Sequence, residues 1–277
     1  MLTLAFESSA KPASVAVVES DGKIVISGDG KCVLAENSGS KLLGQYYQNN
    51  GFSHSRTLLA MAEALLRNLD LKPQDIGLAA VANGPGSFTG VRIGVSAAKG
   101  FAFGLDIPVC AVSTLEAMAR QNTSTLNIKS ANADMINIKS SGADTKDDGA
   151  VILCPSMDAR RGQVYNALFK CGGAGLIRLR EDRAIAIDEL FADLQTFDMP
   201  CLPVGDGADL VLSMQNDILD GSRKIAFLRP NPLSRYQSAY GVALAALFGS
   251  AALISANQLC PVYLRLSGAE RERAAAT

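Results

Sequence analysis

The run from Val81 to Gly104, VANGPGSFTGVRIGVSAAKGFAFG, constrains this chain more than any other stretch. It reads as the end of a strand, a Gly/Pro turn and then a helix. Gly84, Gly86 and Gly90 permit positive φ or close backbone approach, and Pro85 stiffens the turn. From Val91 the pattern is helical, with Gly104 as its expected C-cap. Gly94, Ala97, Ala98 and Gly100 keep one side of that helix thin, so another element can approach closely. Two phosphate-loop motifs are excluded. Gly90 is followed by Val91-Arg92 rather than Lys-Ser/Thr, and the spacing Gly84, Gly86, Gly90 is one residue too long for a dinucleotide fingerprint. Two readings remain: a tight strand-to-helix turn, or amides from Ser87, Phe88, Thr89 and Gly90 meeting an anion at a helix N-terminus.

Only one histidine, His54, is present among 277 residues, so neither a two-His metal site nor an H-E-x-x-H protease helix can be built. The six cysteines are scattered without a C-x-x-C pair. Several lie in apolar runs, as reduced thiols do in a cytoplasmic protein. Net charge is −1 with 19% charged residues, which gives no polyanion-binding signature. No apolar run reaches membrane-spanning length, and Glu7 inside the first one argues against a signal peptide.

In chain order, Leu2 to Ser8, Ser14 to Glu19 and Lys23 to Ser27 read as a three-strand meander turning at Asp21-Gly22. Residues 28–50 read as an extended loop. A helix is expected from Ser53 to Leu69, with Leu58 and Leu65 on one face and Leu59, Met61 and Leu66 widening it. Strands follow at 76–82 and 107–112, and a helix capped by Ser113-Thr114. Residues 121–149 are polar and carry the echo Asn-Ile-Lys-Ser at 127 and 137, which marks a surface insertion. The opening pattern then repeats: strands at 151–155, 163–171 and 174–180, with a turn at 157–162. Helices at 188–194, 206–213 and 236–248 alternate with strands at 201–204 and 225–228. Two such halves predict a duplicated α/β domain. The expected fold is actin-like (ASKHA, RNase H-like), with two related lobes, each a mixed five-stranded sheet and flanking helices. The lobes are placed at 1–112 and 113–256, and 257–277 forms a C-terminal segment with a solvated tail.

The motif Asn83 to Gly94 resembles the TsaB (YeaZ) family, proteins of the bacterial tRNA threonylcarbamoyladenosine machinery. His54-Ser55, Val112 to Leu115, Met157 to Tyr165 and Pro261 to Arg265 extend the likeness over most of the chain. The resemblance implies a non-catalytic, activating scaffold subunit in the cytoplasm. Its partner would be a homologous TsaD-type catalytic subunit, with a TsaE-type ATPase joining them. Metal and ATP would sit on those partners, tRNA would be met only through the complex, and no membrane is involved. It also implies pairing through the helices at 53–69 and 91–103. The interface residues expected are Leu58, Leu59, Met61, Ala62 and Leu66 on the first, with Val91, Gly94, Val95, Ala97, Ala98 and Phe101 on the second. The same helices could instead form a homodimer.

Actin-like ATPases place Asp in the first strand, whereas this chain has Glu7, one methylene longer. Glu7, Ser8, Ser9 and Lys11, with Asp158 in the second half, therefore form a degenerate nucleotide site at most. Asp158 equally suits a structural turn, and His54 a local hydrogen bond near a helix start. The rival reading is an actin-like ATP-dependent phosphotransferase acting on a small molecule.

Overall fold

The structure is a computed structural model that describes residues 1–26, 32–35, 39–51, 54–123, 126, 149–213, 225–249 and 251–265. The chain divides into two compact units, Met1–Ala117 with Gln237–Thr277, and Met118–Tyr236. The boundary expected at 112 therefore falls at 117. The expected second lobe and C-terminal segment also divide differently, because the helix at 239–248 returns to cover the first sheet.

The first unit holds a six-stranded sheet. Strands β1 (Leu2–Glu7), β2 (Ala13–Ser20), β3 (Lys23–Ile26), β4 (Cys32–Ala35) and β5 (Ser40–Gln48) come first, then β6 (Ile76–Gly84), β7 (Val109–Ser113) and, late in the chain, β12 (Leu253–Ile254). The sheet order is β12-β7-β6-β1-β2-β5, with β3 and β4 forming a separate hairpin. β1 runs antiparallel to β2 and parallel to β6, and β6 parallel to β7. The meander thus exists, but its third strand is β5, in part of the segment expected to be a loop. Strands β1, β2 and β6 are buried on both faces because helices cover both sides, so their Val/Leu/Ala runs are nearly continuous.

On one face lie α1 (His54–Asn68) and α2 (Phe88–Leu105), and on the other α6 (Ala239–Phe248), an almost wholly apolar helix. Ser87 caps α2, its hydroxyl accepting from the Gly90 amide at 3.3 Å. The C-cap is Asp106 in the left-handed conformation (φ 52°), one of the few non-glycine types that tolerate it, so Gly104 stays inside the helix. α3 (Thr114–Thr123) starts where Ser113 accepts the amides of Leu115 and Glu116.

The second unit repeats the order with a four-stranded sheet, β10-β9-β8-β11, rather than the expected five. Its strands are β8 (Val151–Arg160), β9 (Gln163–Gly172), β10 (Gly175–Ala186) and β11 (Cys201–Val204), with helices α4 (Ile187–Leu194) and α5 (Ala208–Ser213). The strand expected at 225–228 contributes a single bridge, Cys201 to Phe227. Its position matches that of β7 in the first unit. The β8–β9 hairpin turns tightly at Arg160, Arg161 and Gly162, all at positive φ, so the expected turn at 157–162 is confined to its last residues. Arg180 and Arg183 both pair with Asp193 beneath β10, at 2.7 and 2.6 Å. Most of the expected insertion, 121–149, lies outside the described residues, as does the tail beyond 265.

Candidate functional site

The glycine motif is seated on the turn that follows β1. Ser8 Oγ donates to the Gly90 carbonyl at 2.8 Å, and the Ser87 amide donates to the Ser9 carbonyl at 2.6 Å. Gly86, Gly90 and Gly94 all face that turn. A Cβ would lie 2.4 Å from the Ser9 carbonyl oxygen at Gly86, 2.1 Å from the Ser8 carbonyl oxygen at Gly90, and 2.7 Å from Ser8 Oγ at Gly94. Gly90 and Gly94, one helical repeat apart in α2, let the start of that helix lie against Ser8, while Gly86 precedes the Ser87 cap and lets the loop lie on the Ser9 backbone. The tight-turn reading thus accounts for the motif.

A phosphate fits this turn poorly. Glu7 is 1% exposed, and its Oε1 accepts the Ser9 amide at 2.6 Å. The amides of Ser9, Ser87 and Gly90 are therefore each engaged within the chain, to Glu7, Ser9 and Ser87 respectively. An anion would have to displace these bonds, and a buried carboxylate stands beside it. Lys11 is exposed. Asp158 belongs to the second unit, where its Oδ1 accepts the Arg160 amide at 2.6 Å and shapes the hairpin turn. Among the described residues no group of three His, Cys, Asp or Glu side chains could hold a metal ion.

The second feature of the first unit is an open groove of about 490 Å³ between α1 and the start of α2. Leu58 and Ala97 form its buried floor, while Leu59, Phe88, Arg92 and Ile93 line it. His54, Ser55, Thr89 and Ser96 add polar atoms. His54 Nε2 lies 2.9 Å from the Ala10 carbonyl, which can only accept, so that nitrogen carries the proton. The single histidine is thereby tied to the backbone, as a local hydrogen-bonding residue would be.

The expected interface residues divide sharply. Leu58, Met61, Ala62, Leu66, Val91, Val95, Ala97 and Ala98 are each less than 9% exposed, and Gly94 is also buried. All nine pack within the chain's own core, and apart from Leu58 and Ala97, which floor the groove, they offer a partner no open surface, which corrects the expectation for the other seven. Phe101 is half-buried, edge-on to Phe6. Leu59 alone among the eleven stands clear, at 54% exposed. Phe103, at 67%, was missed, as were Ile93 and Ser96 in the groove. A helical projection drawn outward from Leu59, rather than along the richest apolar stripe, would have found the outer face.

A duplicated strand order, three antiparallel strands continued by parallel ones, with a glycine loop seated on the first turn, defines a protein of the actin-like class. Residues 50–132 match the family described as TsaD: tRNA N6-adenosine threonylcarbamoyltransferase. The chain is 34% identical over 221 residues to the tRNA threonylcarbamoyladenosine biosynthesis protein TsaB of Bacillus subtilis (strain 168), covering 79% of this chain and 82% of that one. The Escherichia coli (strain K12) protein of the same name is 32% identical over 56% of this chain and 58% of its own. The solved YeaZ from Pseudomonas aeruginosa superposes with a TM-score of 0.63 over 95% of this chain and 99% of that chain, at 21% identity. The chain belongs to the TsaB family.

Proposed function

We propose that this chain is the non-catalytic, activating subunit of a tRNA threonylcarbamoyladenosine machinery, pairing with a TsaD-type catalytic subunit through the open face of α1 and α2. The observation that carries the reading is the groove between those helices, because the stretch matching the TsaD family, 50–132, contains both of them. Two homologous subunits that share a helix pair can meet through the same face of each, giving a quasi-symmetric bundle. A stable interface of this kind buries about 1,200–2,000 Å² in total. The exposed Leu59 and Phe103 and the half-buried Ile93 supply apolar area for it.

A non-catalytic role is supported by the engaged amides at Ser9, Ser87 and Gly90, whose bonds a phosphate would have to displace, and by the single histidine. The same engagement counts against the small-molecule phosphotransferase. Metal and ATP then act on the partner subunits, including a TsaE-type ATPase, and tRNA reaches this chain only through the complex in the cytoplasm. No helix among the described residues is long and apolar enough to cross a membrane. The test is reconstitution of tRNA modification from purified subunits with this chain present or omitted. Loss of product on omission is expected, and an undiminished rate without it refutes the role.

A further inference from the structure

The proposed pairing face is mainly apolar, yet one cation is built into it, and the role assigned to that cation rests on the pairing. Arg92 is exposed on α2 and lines the groove. Its guanidinium carbon lies 3.7 Å from the Phe88 ring centroid, and its Nε donates to the Tyr263 hydroxyl at 2.8 Å. Tyr263 in turn stacks on Phe88, with centroids 4.8 Å apart. Phe88 and Arg92 line the groove, whereas Tyr263 does not.

Tyr263 is brought there by a segment fastened along its length. The Val262 amide donates to the Asn83 carbonyl at 2.7 Å, Asn83 Nδ2 to the Cys260 carbonyl at 3.1 Å, and Lys99 Nζ to the Asn257 carbonyl at 3.2 Å. Gly84, at φ 129°, is approached so closely that a Cβ there would sit 2.2 Å from the Val262 carbonyl oxygen. The guanidinium is thus clamped by a ring on its face and a hydroxyl at Nε. Both Nη groups, which carry four of its five N–H donors, lie outside that clamp. Among the described residues no carboxylate pairs with Arg92, and no Asp or Glu lines the groove.

A guanidinium immobilised before binding loses little entropy when it binds, and its planar fork matches a carboxylate. We infer that Arg92, held by Tyr263 and Phe88, is the specificity-determining residue of this face and takes a carboxylate on the TsaD-type helix that fills the groove. Tyr263 is its positioning residue. The competing occupant is a second copy of this chain, which would offer Glu63, exposed on α1 and only 3.9 Å from Arg67.

The experiment is calorimetric titration of the full chain with the TsaD-type subunit at several salt concentrations. Arg92→Gln should weaken binding about tenfold and flatten the salt dependence, since a charge pair across the interface is lost. Arg92→Lys keeps the charge and the salt slope but should recover only part of the affinity. Tyr263→Phe should keep the salt slope while weakening binding about threefold, because the side chain must now be ordered on binding. A merely structural role would lower affinity without separating the salt slopes of the Arg92→Gln and Tyr263→Phe chains. Equal affinity and slope for wild type and Arg92→Gln overturn this inference and leave the pairing intact. Absence of any complex with the wild-type chain overturns both. If Arg92→Gln disturbs only self-association of the lone chain, measured by sedimentation, the residue serves a second copy and the inference fails.

Discussion

Gly94→Ala tests the account of the glycine motif directly, since the change adds one methyl group where α2 lies on Ser8. The new Cβ would sit 2.7 Å from Ser8 Oγ and 3.5 Å from Val81 Cγ2, and only the first contact is too close. Ser8 must turn its hydroxyl away, which breaks its 2.8 Å bond to the Gly90 carbonyl in a buried site. Losing that bond with the hydroxyl left unpaired costs about 1–3 kcal/mol. Against this, alanine in a helix interior gains about 1 kcal/mol over glycine. The expected net effect in the wild-type background is a destabilisation of about 0–2 kcal/mol. In a Ser8→Ala background the obstructing oxygen is gone and the nearest remaining atoms are in ordinary contact, so the same change should stabilise by about 1 kcal/mol. The difference, a coupling of about 1–3 kcal/mol, is read from a double-mutant cycle by urea denaturation followed with circular dichroism. Equal stabilisation in both backgrounds would refute the close approach of α2 to the first turn.

The second unit and the thiols supply two further tests. Burial works to raise the Asp193 pKa, but hydrogen bonds and charge from Arg180 and Arg183 outweigh it and hold the carboxyl below its usual range. A depressed folded-state pKa contributes stability above the unfolded value, about 3.9, that is lost as pH falls through the folded one. Asp193→Asn should therefore cost about 1–3 kcal/mol at pH 7 and progressively less below pH 4, measured by thermal melts across pH. A pH-independent cost contradicts the pairing. Cys260 is exposed, whereas Cys110, Cys154, Cys171 and Cys201 are buried, with Cys110 pushed up to about 12 by burial and by Glu116. Maleimide should label Cys260 in the native chain and the four buried thiols only after unfolding, as mass spectrometry would show, and native labelling of Cys110 or Cys154 would contradict their placement.

The periodic parts of this chain were legible. Strands β1, β2 and β6, helices α1 and α2 and the repeat of strand order all follow from apolar spacing and turn residues. β5 was not, because SKLLGQYYQ is an edge strand of mixed exposure with a glycine at its centre, and it shows no clean alternation. Gly44 is small there for a tertiary reason: a Cβ would meet Leu65 of α1 at 2.9 Å. The role of Gly94 and Ala98 was misjudged on similar grounds. A thin helix face says that something approaches closely, and the chain's own first turn and sheet are what approach. Leu58 and Leu66 likewise mark a buried face without saying what covers it. The clamp on Arg92 joins residues 171 positions apart, a contact that no local pattern reports.

The most direct test of the pairing account is light scattering on mixtures of this chain with the TsaD-type subunit, comparing wild type, Leu59→Glu and Ile177→Glu. Leu59 is 54% exposed beside the groove, and Ile177 is 47% exposed on β10 of the other unit, so both charges should be tolerated by the fold. The account predicts a one-to-one complex for wild type and Ile177→Glu and two separate species for Leu59→Glu. An intact complex with Leu59→Glu, or none with wild type, would contradict it.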